Sequence, residues 1–166
     1  KYDKTIKKYA KKYGFDWRLM AALCFQESRF NQDIINEWGA IGLFQVKQMT
    51  ANEPYIKIRD IRGKNNFENN IHAGVKYLHW IKNRYFDPNK KMTEDNRLRM
   101  MMAAYNAGPG RLRKAIKLAK KMKGIDHNRW FRNVEMALLK MKKTEPVTYV
   151  SEINKRYISY KLLGIK

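Results

Sequence analysis

The stretch WRLMAALCFQES, Trp17–Ser28, is apolar on nearly every side as far as Phe25, Arg18 excepted, and ends in three polar residues. A helix without a polar face has to lie inside a protein. This segment therefore predicts the central helix of an α-helical core, started by Asp16, whose short carboxylate suits an N-cap. Glu27 rides the end of that helix as it comes to the surface. A carboxyl there is partly withdrawn from water, and desolvation favours its protonated form. A protonated carboxyl is what a glycosidic oxygen needs as it leaves. Read alone, Glu27 is either such a proton donor or simply the first polar residue of a surfacing helix.

Outward from this stretch the chain reads as helices separated by short breaks. Residues 3–13 form a basic amphipathic segment stopped by Gly14, and residues 31–46, rich in Asn and Gly, predict a long loop with room for a short hairpin. Phe67, Ile71, Val75, Leu78 and Tyr85 recur at helical spacing and predict a helix over 66–84. Thr93 caps the next one, with Glu94 and Asp95 at its positive end, and that helix runs into MMAAYNA. Gly108-Pro109-Gly110 breaks it, and Pro109 suits the first turn of a following helix, which Leu112, Ala115, Ile116, Ala119 and Met122 mark and Gly124 ends. Asp126 is expected to cap a helix containing WFRNVEMALLKM. Pro146 opens a last one bearing Val150, Ile153, Tyr157 and Tyr160. No strand of convincing length, no repeat and no linker stands out. The expected fold is one all-α domain over residues 1–166, about six to eight helices by ordinary helix lengths, with at most a minimal β hairpin.

Composition narrows the function classes. Hydrophobic residues make up 44% of the 166, too many for a disordered tail. The longest apolar runs, residues 20–25 and 100–105, are far too short to span a bilayer. The net charge of +21 attracts polyanions at ordinary salt, whether nucleic acid, anionic lipid or anionic wall polymer. The basic residues are spread along the chain, so charge does not choose among them. Cys24, the single cysteine, lies in an apolar run and reads as buried filler. His72 and His79 fall on one helix face without a third ligand nearby, so neither metal nor cofactor is expected. No secretion signal is recognisable and the chain opens on Lys1, which reads as a processed product or a piece of a longer protein.

Two further motifs could carry chemistry. GAIGLFQV, residues 39–46, sets two glycines three apart before bulky Leu43 and Phe44, which suggests backbone held close to something. Gln45 then offers both a donor and an acceptor to a sugar hydroxyl or amide; an ordinary glycine turn reads equally well. In AAYNAGPGRL, residues 103–112, Tyr105 and Asn106 stand at a helix end before a Gly-Pro-Gly break. They either project into a cleft or serve as a C-cap.

Taken in order, these motifs resemble the family of lytic murein transglycosylases of the soluble-transglycosylase catalytic type. Glu27-Ser28 matches the family's Glu-Ser at a helix end. Residues 39–46 match Gly-Ala-x-Gly-Leu-Met-Gln-[Ile/Val] except for Phe44 in place of Met. Thr50-Ala51, the Ala-Tyr-Asn-Ala-Gly-x-Gly of residues 104–110, and Glu145, Tyr149, Val150 and Ile153 follow in sequence. The likeness covers residues 13–163, and the stretches AGVKYL and RWFRNVE look most like the membrane-bound F-type branch. Asn36, where the family often has Ser, and Lys47-Gln48, where it usually has Met-Pro, depart from the pattern and touch the details of the sugar subsites.

The resemblance implies a lysozyme-like fold and a lyase acting on peptidoglycan glycan strands. The bond cut is that between N-acetylmuramic acid and N-acetylglucosamine, and 1,6-anhydro ends are left. Glu27 is implied as the one catalytic acid and base, and Asn36, Phe44, Gln45, Tyr105, Asn106, Glu145 and Tyr149 as the substrate-binding set. It also implies a monomer in the periplasm or at the outer membrane, facing the wall, with any membrane tether or regulatory domain outside these residues. The nearest rival is a hydrolytic lysozyme of the goose type, which needs a second carboxylate roughly 6.5–9.5 Å away; Asp33 and Glu37 are the candidates. A basic nucleic-acid- or wall-binding module without catalysis rests on charge alone, and no nucleic-acid-binding signature supports specific recognition.

Overall fold

Asp16 starts the central helix as expected. In a computed structural model that describes residues 2–165, its Oδ1 accepts a hydrogen bond from the Arg18 amide at 2.9 Å, and α2 runs Trp17–Ser28. Leu19 to Cys24 are buried without a break, which is the physical content of a helix with no polar face. Arg29 takes a left-handed φ of 50° and ends it.

The chain divides into two compact units, Lys1–His79 with Ile153–Lys166, and Trp80–Glu152. In the first, α1 (Asp3–Lys12) buries Ile6, Tyr9 and Ala10 and packs on α2. A hairpin of β1 (Ala40–Ile41) and β2 (Val46–Lys47) pairs Ala40 with Lys47 and Ile41 with Val46, antiparallel. A five-residue helix, α3 (Gln48–Asn52), follows at once, and a short 3₁₀ turn, Lys64–Asn66, leads into α4 (Phe67–Tyr85). The far end of α8 (Glu145–Leu162) returns to α2: the Arg156 guanidinium sits 4.1 Å over the Phe25 ring, and the Tyr157 hydroxyl donates to Asp16 Oδ2 at 3.1 Å.

In the second unit, α5 (Glu94–Ala107) is capped by Thr93, whose hydroxyl accepts from the Asn96 amide. Met100 to Ala104 are its buried stretch. Gly108, at φ 89°, turns the chain straight into α6 (Pro109–Ala119), with proline in its first turn. α6 packs on α5 and on α7 (Glu135–Lys140), and Trp130 is wholly buried.

The all-α architecture with one minimal hairpin is what the sequence predicts, with eight α-helices among the described residues. One helix is corrected. The segment expected to be helical from WFRNVEMALLKM starts as a π-type turn, Trp130–Val134, with Phe131 extended and Arg132 at φ 56°, so that regular helix begins only at Glu135. Local side chains compete for the backbone there. Asp126 accepts from the Asn128 amide instead of capping a helix, Asn133 Oδ1 accepts from the Asp126 amide, and the Glu135 carboxylate takes the Arg132 amide. Helix α3 is the other feature without a forecast. Among the described residues no helix is long and apolar enough to cross a membrane.

Candidate active site

Glu27 is the penultimate residue of α2 and is half-buried. The residue after it ties two motifs together. Ser28, itself buried, places its hydroxyl 3.0 Å from the Leu43 carbonyl and 3.2 Å from that of Cys24. The end of the central helix is thus fastened to the middle of the 39–46 loop.

That loop is held from two more sides. Gln32 Oε1 accepts from the Leu43 amide at 3.1 Å, while its amide group donates to the Ile61 carbonyl at 3.0 Å and to that of Gly63 at 3.3 Å. Asn70, on α4, accepts from the Phe44 amide at 2.9 Å and donates to the carbonyls of Ile41 at 2.8 Å and Ile61 at 3.3 Å. Ser28, Gln32 and Asn70 are the buried polar side chains among the described residues. Each of the three bonds the 39–46 backbone, and Gln32 and Asn70 tie it in turn to the Ile61 carbonyl. A buried polar group left unmatched is costly, so a fully matched set allows one arrangement and penalises the rest. The glycines fit the same plan. Gly42 has φ 69°, and a Cβ on it would lie 2.5 Å from Gln32 Oε1 and 2.7 Å from Asn70 Nδ2. Gly74 of α4 leaves the space that the Phe44 ring fills.

Within this unit the sequence-derived candidates separate. Gln45 stays half-buried at φ 46°, with its amide group donating to the Gly42 carbonyl at 2.9 Å and more weakly to that of Ile34 at 3.3 Å. Asn36, expected to bind sugar or orient Glu27, has its Oδ1 committed to the amides of Trp38 and Ala40, both at 2.9 Å, and so shapes the turn before β1. Phe44, expected in the substrate-binding set, is wholly buried against α4. Asp33 and Glu37 are exposed, and Asp33 lies 3.7 Å from Lys64. A depression of about 930 Å³ beside α3, lined by Gln48, Asn52 and Lys57 among others, contains none of the candidates.

Sequence reasoning missed Gln32, Asn70 and Gly74. A signal for two of them existed: Asn70 and Gly74 are four apart, which puts them on one helix face, and they flank Ile71 in the otherwise apolar stripe of α4. A polar residue and a glycine there have no packing reason of their own.

In the second unit, Tyr105 and Asn106 are half-buried in the last turn of α5, just ahead of the Gly108 break. Asn106 donates to Glu145 Oε1 at 3.2 Å, so the structure joins two residues that lie 39 apart in sequence. Glu145 opens α8, where its charge complements the helix's positive end. Tyr149 follows one turn later and is buried.

The other reactive side chains have packing roles. Burial pushes the Cys24 thiol well above its ordinary range, and the charge of Glu27 adds to this. His72 is pressed against Tyr9, ring centroids 4.2 Å apart, with its Nε2 2.8 Å from the Tyr13 hydroxyl. Partial burial, then the charges of Lys12, Lys76 and Lys8, lower its pKa to about 4. Among the described residues no group of three or more His, Cys, Asp or Glu side chains could hold a metal ion.

The model of the transglycosylase SLT domain family matches residues 4–128. A membrane-bound lytic murein transglycosylase F from Desulfosudis oleivorans is 38% identical over 132 residues, covering 78% of this chain and 27% of that protein. Its namesake from Hahella chejuensis is 34% identical over 171 residues, covering 95% and 32%. The chain thus spans about a quarter to a third of the length of these relatives. Among solved structures, an inactive mutant of the lytic transglycosylase Slt from Pseudomonas aeruginosa superposes with a TM-score of 0.70 at 25% identity, over 96% of this chain and 24% of that one. The 70 kDa soluble lytic transglycosylase of Escherichia coli gives the same score and identity over 99% of this chain and 25% of its own.

Proposed function

The chain belongs to the transglycosylase SLT domain family, and from that premise we propose that it cleaves peptidoglycan glycan strands without water, between N-acetylmuramic acid and N-acetylglucosamine. One observation carries the reading: Glu27 leaves a buried helix beside a loop that three buried polar side chains hold in a single conformation. Glu27 protonates the departing glycosidic oxygen as the bond from the anomeric carbon breaks. It then takes the proton of the C6 hydroxyl of the same muramic acid as that oxygen bonds to the anomeric carbon, closing a 1,6-anhydro ring. The proton lost in the first step is regained in the second. Attack from within one sugar is favoured entropically once the sugar is held in place.

Gln45, Tyr105, Asn106 and Tyr149 hold the glycan, and Glu145 positions Asn106. Asn36 and Phe44 act through the loop they shape. The exposed, ion-paired Asp33 and the exposed Glu37 offer no environment that singles out a second catalytic carboxylate, which favours this reading over hydrolysis. The domain works as a monomer in the periplasm or at the outer membrane, facing the wall, and its net charge of +21 serves to hold an anionic wall rather than a nucleic acid sequence.

The test is the product. Purified wall digested in ¹⁸O water is expected to give 1,6-anhydro-muramic acid ends free of label. Label at a new reducing end would mean hydrolysis, and Asp33→Asn and Glu37→Gln would then identify the acid that activates water.

A further inference from the structure

The second unit carries a concavity that the proposed glycan-holding residues do not use. Its volume is about 440 Å³, and it lies where the last turn of α4, the segment after it and one side of α6 meet, with His127 at its edge. Arg84, Arg113, Lys117 and Lys120 supply a cationic rim and Tyr85 and Ile116 an apolar floor; no carboxylate lines it. Nearby acids are engaged elsewhere: Asp87 and Glu94 lie 2.8 and 3.0 Å from Lys82, and Glu94 also meets Arg97 at 3.4 Å. Among the described residues none of the four rim cations has an ion-pair partner. A helix C-terminus attracts a cation, which accounts for Arg84 or Lys120 singly. It does not account for four like charges gathered round one hollow, where they repel unless an anion sits between them.

The direction of α6 indicates which anion. The helix begins at Pro109, three residues beyond Asn106, and rises about 1.5 Å per residue, which puts Arg113 about 6 Å and Lys120 about 16 Å along it. An extended peptide of about four or five residues reaches roughly 13–18 Å. We propose that this pocket binds the carboxylates of the peptide stems carried by the glycan, and so selects wall strands by stem length and charge. The proposal rests on the glycan-cleaving reading above.

Two substrates test it: peptide-bearing glycan strands solubilised from purified wall, and the same strands after enzymatic removal of the peptides. Lys117→Ala/Lys120→Ala is expected to raise KM on the peptide-bearing strands about three- to tenfold, the scale of two exposed ion pairs. Both kcat and the KM on peptide-free strands should stay as they were. Lys114→Ala/Lys121→Ala removes the same charge from exposed positions outside the pocket and should change neither. An unchanged KM in the first variant, an equal rise on both substrates, or an equal rise in both variants would overturn the proposal. So would loss of duplex DNA binding without a stem-dependent effect, which would mark a nucleic-acid patch. If the wild-type protein cuts neither substrate, the catalytic reading fails separately. The pocket is then judged by binding of the peptide-bearing strands, lost in the first variant and kept in the control; no such difference would sink it.

Discussion

The loop beyond α2 and the junction of α5 with α6 are built from similar parts, glycines beside polar side chains, yet they are held in opposite ways. At the loop, Ser28, Gln32 and Asn70 are buried and grip the backbone. At the junction, the bond from Asn106 to Glu145 is exposed, and Gly108 simply turns the chain. The first arrangement fixes where backbone goes and leaves little to adjust. In the second, a side-chain bond at the surface can be exchanged for one to a ligand at small cost to the fold. Residues of one motif can therefore differ in kind: Phe44 is buried in the rigid region and Asn36 shapes the exposed turn before it, while Asn106 belongs to the adjustable one.

The largest expected effect separates chemistry from rigidity at the point where they adjoin. Glu27→Gln keeps size and hydrogen-bonding capacity but cannot exchange the proton. Turnover on purified wall should fall about 10²–10⁴-fold, as for general acid–base groups, with thermal unfolding unchanged. Near-normal turnover by a well-folded variant would remove Glu27 from the reaction.

The next tests whether the loop is as rigid as its bonding implies. Gly42→Ala forces a side chain into left-handed backbone and against Gln32 and Asn70, and should cost about 3 kcal/mol or more. Asn70→Ala strands the buried Phe44 amide, at about 1–3 kcal/mol for the unmatched group. Chemical denaturation measures both. Changes under half a kilocalorie would mean that the loop rearranges freely, and the contrast between the two regions would collapse.

How much of this was legible in the sequence follows from how far each cause reaches along the chain. Asp16, Thr93, Gly108 and Pro109 act on backbone within a few residues of themselves, and the helices they start or stop stand where the sequence puts them. The buried helix that ends beside Glu27 was legible because its apolar run, residues 19–25, is continuous. Gln32 and Asn70 were not, because their partners at Leu43 and Phe44 lie 11 and 26 residues away, and a single sequence shows a polar residue without showing whom it serves. The burial of Phe44 depends on Gly74 in the same way. The turn at Trp130–Val134 was misread for the opposite reason: helical periodicity was present, but short-range bonds from Asn133 and Glu135 outweighed it.

At the junction the effects should be smaller and of another kind. Asn106→Ala is expected to raise KM on wall glycan several-fold while costing no more than about 1 kcal/mol of stability, the scale of one hydrogen bond. Gln45→Ala tests the border between the regions. It is proposed to hold sugar, yet its amide group also serves the loop, so stability and KM should both suffer. If Asn106→Ala instead unfolds the protein with activity per folded molecule intact, the junction is structural and the site is drawn wrongly there.

The smallest effect concerns pH, and it follows from what holds the loop. Ser28, Gln32 and Asn70 carry no titrating group, so mild acid should not loosen that network. Acid sensitivity should enter instead where α4 meets α1, through His72. Its pKa is lowered to about 4 from the ordinary 6.5, chiefly by burial and then by Lys12, Lys76 and Lys8. The folded state therefore disfavours the charged ring. The His72 contribution to stability is fully present above about pH 6.5, declines as pH falls through the window from there to about 4, and is gone below it. Because the ring is only half-buried, solvent screening cuts the full value of such a shift to about 1 kcal/mol or less. Denaturation of wild type and His72→Gln at pH 7 and pH 4.5 isolates the contribution, since every other titrating group is common to both. The difference between the two proteins should narrow or reverse at the lower pH. A constant difference would mean that His72 charges without penalty, whereas acid weakening larger in the variant than in the wild type would place the sensitivity in another group.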